Sequence, residues 1–202
     1  MPPMRPTPTA AAAVFAAALI AAGAGGLAGE ERADGGQLIR VEAVPSVDLA
    51  RYAGVWHEIA RFPNRFQDKC ACSVTATYTL LPDARVSVVN ECRTRDGGLT
   101  RAEGVARRAA ANGPDSRLKV RFAPGFLSFL PFVWGDYWIL DLADDYSYVL
   151  VGSPDRGYLW VLARETSLPD ATYARIVAQA RRQGFDTGRL VRTPQPPAAA
   201  GR

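Results

Sequence analysis

Hydrophobic and polar positions alternate in short runs along most of this chain. Runs rich in β-branched and aromatic residues cover "GVWHEIARF" (54–62), "SVTATYTLL" (73–81), "ARVSVVNEC" (84–92) and "LTRAEGVARRA" (99–109). "RLKVRFA" (117–123), "DYWILDL" (136–142), "YSYVLVGS" (146–153) and "GYLWVLAR" (157–164) follow. Period-two alternation over such lengths predicts strands with one buried face. Each run is bounded by turn formers: Pro82-Asp83, Asp96-Gly97-Gly98, Asn112-Gly113-Pro114-Asp115, Asp144-Asp145 and Ser153 to Gly157. Short connections of this kind join antiparallel neighbours.

One segment changes period. In "SLPDATYARIVAQARRQGF" (167–185), Ile176, Val177 and Ala180 share one helical face, Ser167 or Asp170 is placed to cap the start, and Gly184 to stop the end. Eight short-connected strands leave no open edge if the sheet closes on itself. The expected class is therefore all-β: an eight-stranded antiparallel up-and-down β-barrel with a C-terminal α-helix packed on its outside. A two-sheet sandwich satisfies the same alternation.

The two ends of the chain lack this patterning. Arg5 precedes an uninterrupted apolar run, Ala10 to Ala24, which is shorter than the ~20 residues that span a bilayer. Small residues at 22 and 24, and at 26 and 28, give cleavage sites, so residues 1–28 are expected to be a signal peptide. Residues 29–44 then form a flexible N-terminal segment, 45–192 the folded domain, and the Pro/Ala-rich residues 193–202 a disordered tail. No cysteine stands directly after the apolar run to receive a lipid, so the expected product is exported, periplasmic or secreted, and not lipid-anchored.

Charge adds an exclusion. The chain carries 24 Lys and Arg against 20 Asp and Glu. The cations are scattered, in pairs at most, without the basic stripe interleaved with aromatics that nucleic acid requires. The three cysteines, Cys70, Cys72 and Cys92, accompany a single histidine, His57. No fourth soft ligand stands at zinc spacing, so no metal is expected and a disulfide to Cys92 is. The register of the 73–92 hairpin lets either Cys70 or Cys72 reach Cys92, and slightly favours Cys72.

Ordered motifs along the chain resemble the lipocalin family. Gly54-Val55-Trp56 is similar to its Gly-x-Trp signature, Asp145-Tyr146 to the end of its Thr-Asp-Tyr motif, and Arg164 to the Arg it packs over that Trp. "VDLARYAGVWHEIARFPNRF", "VTATYTL", "VVNEC", "AEGVARR", "GDYWILDL", "SPDRGYLWVLAR" and "GFDTGRL" keep the order and spacing of bacterial lipocalins related to apolipoprotein D and the plant temperature-induced lipocalins. The resemblance covers roughly residues 45–192. His57 stands where most relatives have Tyr, the lipid-bearing N-terminal Cys is missing, and Cys72 is extra. Relatives with a bridge place one Cys after "RFQ", which implies a Cys70 to Cys92 disulfide.

The resemblance implies non-covalent binding of a small hydrophobic ligand such as a fatty acid or lysophospholipid, with no cofactor and no catalysis. It also implies fold-determining roles for Gly54, Trp56, Asp145, Tyr146 and Arg164. Alternation sorts the rest. If Trp56 points inward, so do Glu58, Ala60 and Phe62, while His57 and Ile59 point outward. A carboxylate facing inward needs a partner, so Glu58 is expected beside an Arg, a tyrosine hydroxyl or water. Trp160 and Leu162 share the Arg164 side of their strand, and Trp138 shares a face with Asp136 and Leu140. The candidate ligand contacts are thus Glu58, Phe62, Tyr78, Asn90, Trp138 and Trp160. Packing of the barrel wall explains the tryptophans equally well.

"FAPGFLSFLPFVWGDY" (122–137) has no charge from Ala123 to Gly135, although a loop that only crosses water should be polar. It reads either as a flap folded into the barrel mouth or as a portal. In the second case Phe126, Leu127, Phe129, Leu130 and Phe132 grip a ligand tail or touch a membrane peripherally. Two other functions compete: a lipid-modifying enzyme with Cys72 as nucleophile, and an envelope interaction module with an inert barrel. Cys72 has no histidine near it in sequence, which weighs against the enzyme.

Overall fold

The computed structural model describes residues 39–195. The expected signal peptide, most of the segment 29–44 and residues 196–202 lie outside them.

Strands β1 (Gly54–Arg61), β2 (Cys70–Leu80), β3 (Val86–Thr94), β4 (Leu99–Arg108) and β5 (Arg117–Arg121) are followed by β6 (Gly135–Leu142), β7 (Tyr148–Gly152) and β8 (Leu159–Ala163). Each pairs antiparallel with the next, β8 pairs with β1, and β1 with β2, which closes an eight-stranded ring. The barrel, and not the sandwich, is the observed architecture. Loops 62–69, 95–98, 122–134 and 153–158 surround one end, the mouth. The turns 81–85, 109–116 and 143–147 surround the other, where β1 begins.

A four-residue helix, α1 (Leu49–Tyr52), enters β1 and is capped by the Asp48 carboxylate, which accepts from Ala50 N at 2.9 Å. Val47 and Tyr52 are buried in the closed end. Part of the segment expected to be flexible is tied down: Val44 N donates to the Ile139 carbonyl at 2.8 Å, and Glu42 N to Gln183 Oε1 at 2.8 Å.

Side-chain alternation generates two cores. The inner one gathers Trp56, Tyr78, Val86, Val88, Ile139, Val149, Val151 and Leu162. The outer one lies between the wall and helix α2 (Asp170–Arg182), where Ile176, Ala180 and Phe185 meet Leu140, Leu150, Leu159 and Val161. All of β7 is buried because both of its faces are covered. Gly152 is required there, since a Cβ would come within 2.8 Å of Leu140 and 2.9 Å of Phe185. Neither Ser167 nor Asp170 caps α2 through its side chain; the helix starts after Pro169. It ends at Gly184 with φ +80°.

One irregularity redirects β1. The register against β8 slips between Glu58 and Ala60, and a bulge of this kind reverses the alternation beyond it. Ala60 and Phe62, expected inside, therefore belong to the outer core. Phe62 packs against Phe185 with ring centroids 6.3 Å apart. Arg61 takes the inward place opposite Trp160.

The chain beyond α2 also departs from expectation. A short strand β9 (Val191–Arg192) pairs with the mouth half of β1. Residues 193–195, read from sequence as loose tail, fill the gap where β1 and β2 diverge. Thr193 N donates to the Ile59 carbonyl at 3.0 Å and Ser73 N to the Pro194 carbonyl at 2.9 Å. Gln195 Nε2 bridges the carbonyls of Glu58 and Val74 at 2.8 and 2.9 Å.

Candidate functional site: a cup with a sealed floor and an aromatic rim

The floor begins at the sequence signature. Gly54 sits at φ +102°, and a Cβ on it would stand 3.1 Å from Arg164 Nη1, so backbone and space both select glycine. Trp56 is fully buried and donates from Nε1 to the Tyr52 carbonyl at 2.8 Å. The Arg164 guanidinium lies 3.9 Å over the Trp56 ring. It donates to four backbone carbonyls: Val55 at 2.9 Å, Arg51 at 2.8 Å, Tyr52 at 3.1 Å and Ala53 at 3.0 Å. A single cation thus satisfies carbonyls at the end of α1 and at its junction with β1.

The second motif locks the adjacent corner. Asp145 accepts from Ser147 N at 2.9 Å, and the Ser147 hydroxyl together with this N–H holds its carboxyl below the usual range. Tyr146 accepts from Asp48 N at 2.9 Å, and Arg51 covers its ring at 4.0 Å.

Above Trp56 three phenols meet. Tyr137 Oη lies 2.7 Å from Tyr52 Oη and 2.9 Å from Tyr78 Oη. Desolvation raises all three pKa values, that of Tyr78 to about 12. The rings of Tyr52, Trp56 and Tyr78 pack at centroid distances of 5.1 and 5.3 Å.

Halfway up, Glu58 is 2% exposed and has the partner its burial demands. Arg61 Nη1 donates to Oε1 at 3.1 Å, Gln67 Nε2 donates to Oε2, and the Thr193 hydroxyl donates to Oε1. Gln67 Oε1 in turn accepts from Trp160 Nε1 at 3.0 Å and Asn64 Nδ2 at 2.8 Å. Trp160 packs against the inner core and stacks on Tyr158 at 5.6 Å toward the mouth. Asn90 falls on the inward row of β3, paired with Ala76, and its buried Oδ1 has no partner among the described residues.

Glu58, Tyr78, Asn90 and Trp160 thus lie on the inward positions of their strands. Phe62 and Trp138 do not. Trp138 packs on the outer core, with Arg117 4.6 Å over its ring. Tyr137 and Ile139 occupy the inward positions of β6. Sequence offered a signal for this: Asp136 shares Trp138's face and pairs with Lys119 at 2.9 Å, and a charged face belongs outside. Tyr52, Arg61, Tyr137, Gln67 and Thr193 were all missed. The first and last stand outside the strand pattern, and Arg61 turns inward only because of the bulge.

At the rim, the loop 122–134 carries two single-turn helices, Gly125–Leu127 and Pro131–Val133. Phe126, Phe129 and Phe132 are 76%, 77% and 80% exposed, while Leu127 and Leu130 are half-buried. The phenylalanines therefore do not fold into the mouth. Trp134 anchors the loop on the outer wall, with Arg107 4.2 Å from its ring and Nε1 donating to the Ser128 carbonyl at 2.8 Å. The mouth end of the β2–β3 hairpin is stapled by a Cys70–Cys92 disulfide, and Cys72 is free.

Comparison with known proteins agrees with this geometry. Residues 47–195 match the family model of the lipocalin-like domain. The chain is 42% identical over 156 residues to temperature-induced lipocalin-1 of Arabidopsis thaliana, covering 77% of this chain and 83% of that one. It is 38% identical over 159 residues to the outer membrane lipoprotein Blc of Escherichia coli (strain K12), covering 77% and 84%. Among solved structures, apocrustacyanin C2 superposes with a TM-score of 0.60 at 21% identity, covering 74% of this chain and 81% of that one. Insecticyanin from the tobacco hornworm Manduca sexta superposes at 0.59 and 22%, covering 79% and 86%. A closed eight-stranded barrel, a Trp sealed beneath an Arg at its floor, and relatives of this identity and coverage establish that the chain belongs to the lipocalin family, whose members bind small hydrophobic ligands.

Proposed function

We propose that this protein binds a single-chain lipid, a fatty acid or lysophospholipid, non-covalently inside its barrel, and carries or stores it in the cell envelope after export. The observation that carries this reading is an apolar inner wall closed at one end by Trp56 and bordered at the other by three exposed phenylalanines. Apolar walls with a few placed polar groups suit an acyl chain with one head group. Glu58, Tyr78, Asn90 and Trp160 are the residues proposed to contact it.

Phe126, Phe129 and Phe132 form the portal and dip into a lipid surface while the ligand is exchanged; Leu127 and Leu130 support them from below. Exposed aromatics at a cavity mouth are costly in water and favourable at a bilayer interface. Export accords with the Cys70–Cys92 disulfide, because such bridges persist in oxidising compartments. On this reading the product is periplasmic or secreted, released by cleavage of residues 1–28. An enzyme built on Cys72 draws no support from register, which pairs that residue with the exposed Arg93.

Loading tests the proposal. The purified protein is titrated with a fluorescent fatty acid, which is then displaced by unlabelled fatty acid or lysophospholipid. Saturable binding of one chain per barrel, competed by one of the two, is expected; indifference to both overturns the reading.

A further inference from the structure

The three phenols on the floor bring three protons to two hydrogen bonds. Tyr52, Tyr78 and Tyr137 contact one another at 2.7 and 2.9 Å, and each contact consumes one O–H. Among the described residues the three hydroxyls have no other hydrogen-bond partner. Burial keeps all of them protonated well into the alkaline range. One donor is therefore left over, surrounded by the apolar side chains of Trp56, Val88 and Ile139.

Asn90 supplies an independent unmet group. Its Oδ1 is buried without a partner among the described residues. It lies on the same inward row as Val88, the residue paired with Tyr78, and one inward position nearer the mouth. Buried polar atoms are rarely left unpaired without a reason, and here a spare donor and a spare acceptor both face the barrel interior.

We propose that this floor is a subsite for the polar end of the ligand: a protonated carboxylic acid or an alcohol enters head first, accepts the leftover tyrosine proton and donates to Asn90 Oδ1. The proposal rests on the reading that the barrel holds a single-chain lipid, and it narrows that reading. A hydroxyl or a neutral carboxyl both accepts and donates, which matches the two unmet groups. Among the described residues the inward arginines are engaged elsewhere: Arg164 is spent on four carbonyls, and Arg61, whose Nε lacks a partner, is paired with Glu58 nearer the mouth. A phosphate-bearing head keeps its charge at neutral pH and meets the same want of a cation here. The chain then runs toward the mouth and the phenylalanine rim, so fatty acids and alcohols are favoured over lysophospholipids.

The test uses palmitic acid labelled with carbon-13 at its carboxyl, bound to the whole protein and followed by NMR. The expected result is a bound carboxyl resonance that stays constant across the neutral pH range and shifts or weakens in Tyr137→Phe. Tyr78→Phe serves as the second variant if Tyr137→Phe does not fold. A bound resonance that titrates with bulk pH and ignores both substitutions overturns the subsite but leaves the carrier reading standing. Absence of any bound palmitic acid in the unmodified protein overturns both.

Discussion

The two ends of this barrel are built on opposite principles. At the floor, one tryptophan is fully buried, one arginine satisfies four carbonyls, and the glycine beside them holds a backbone angle that other residues rarely adopt. At the mouth, three phenylalanines are more than three-quarters exposed, and order is maintained by a disulfide and by the strap of residues 191–195 across the divergence of β1 and β2. The floor maximises burial and hydrogen bonding per residue. The mouth keeps apolar surface in water, which a fold tolerates where that surface has something to meet. Stability should therefore be concentrated at one end and traffic at the other.

The largest effect should follow from opening the floor. Trp56→Ala removes a buried indole and leaves Arg164 without its platform, and is expected to cost about 3–5 kcal/mol, measured by denaturant unfolding. A floor mutation of less than half that size would show that the asymmetry between the ends is not energetic.

Removing the staple at the mouth comes next. Replacing Cys70 and Cys92 by Ser frees a loop with a sequence separation of 22, which should cost about 3 kcal/mol through the entropy regained by the unfolded chain. The loss should appear in equilibrium unfolding and leave the Trp56 environment, read by near-ultraviolet circular dichroism, unchanged in the folded state.

The buried phenols make a pH prediction confined to the floor. Tyr78 is held at about 12, above its ordinary value of 10.0, so between those limits the folded state keeps a proton the unfolded chain has lost. Its contribution to stability is fully present below pH 10 and disappears as pH rises through 12. For this group alone the loss is on the order of 2–3 kcal/mol. Alkaline titration of tyrosine absorbance should show a late class of phenols whose ionisation coincides with unfolding. If every tyrosine ionises near 10 without unfolding, the triad is not sealed.

The smallest stability effect is expected at the rim. Phe129→Ser with Phe132→Ser should change unfolding free energy by no more than about 0.5 kcal/mol, as exposed substitutions do, while weakening sedimentation with phospholipid vesicles. Unchanged vesicle binding would separate the flap from any membrane role.

The strands, the helix, the Gly54-Val55-Trp56 and Arg164 contact and the need for a partner at Glu58 were legible because each depends on local pattern or on burying one charge. What escaped depends on phase. A bulge between Glu58 and Ala60 leaves no compositional mark, yet it carries Phe62 to the outer core and brings Arg61 inward. Alternation placed Trp138 and Tyr137 on opposite faces of β6 without saying which face was inside, and bulk was the wrong guide where the charge on Asp136 was the right one. The tyrosine triad joins residues 85 and 59 positions apart, a convergence that only closure of the ring produces. The bridge to Cys70, and not Cys72, was implied by resemblance, whereas hairpin register alone leaned the other way. Thr193 and Gln195 lie in a Pro-rich composition that reads as tail, although Thr193 donates to the Glu58 carboxylate and Gln195 bridges the backbone of β1 and β2.

The most direct measurement is native mass spectrometry of the protein recovered from its own export route, followed by organic extraction of whatever it holds. One co-purified acyl chain per protein, released on denaturation, is the expected result. An unoccupied barrel that also refuses added fatty acids and lysophospholipids would contradict the carrier reading and leave the exposed phenylalanines as a surface for some other partner.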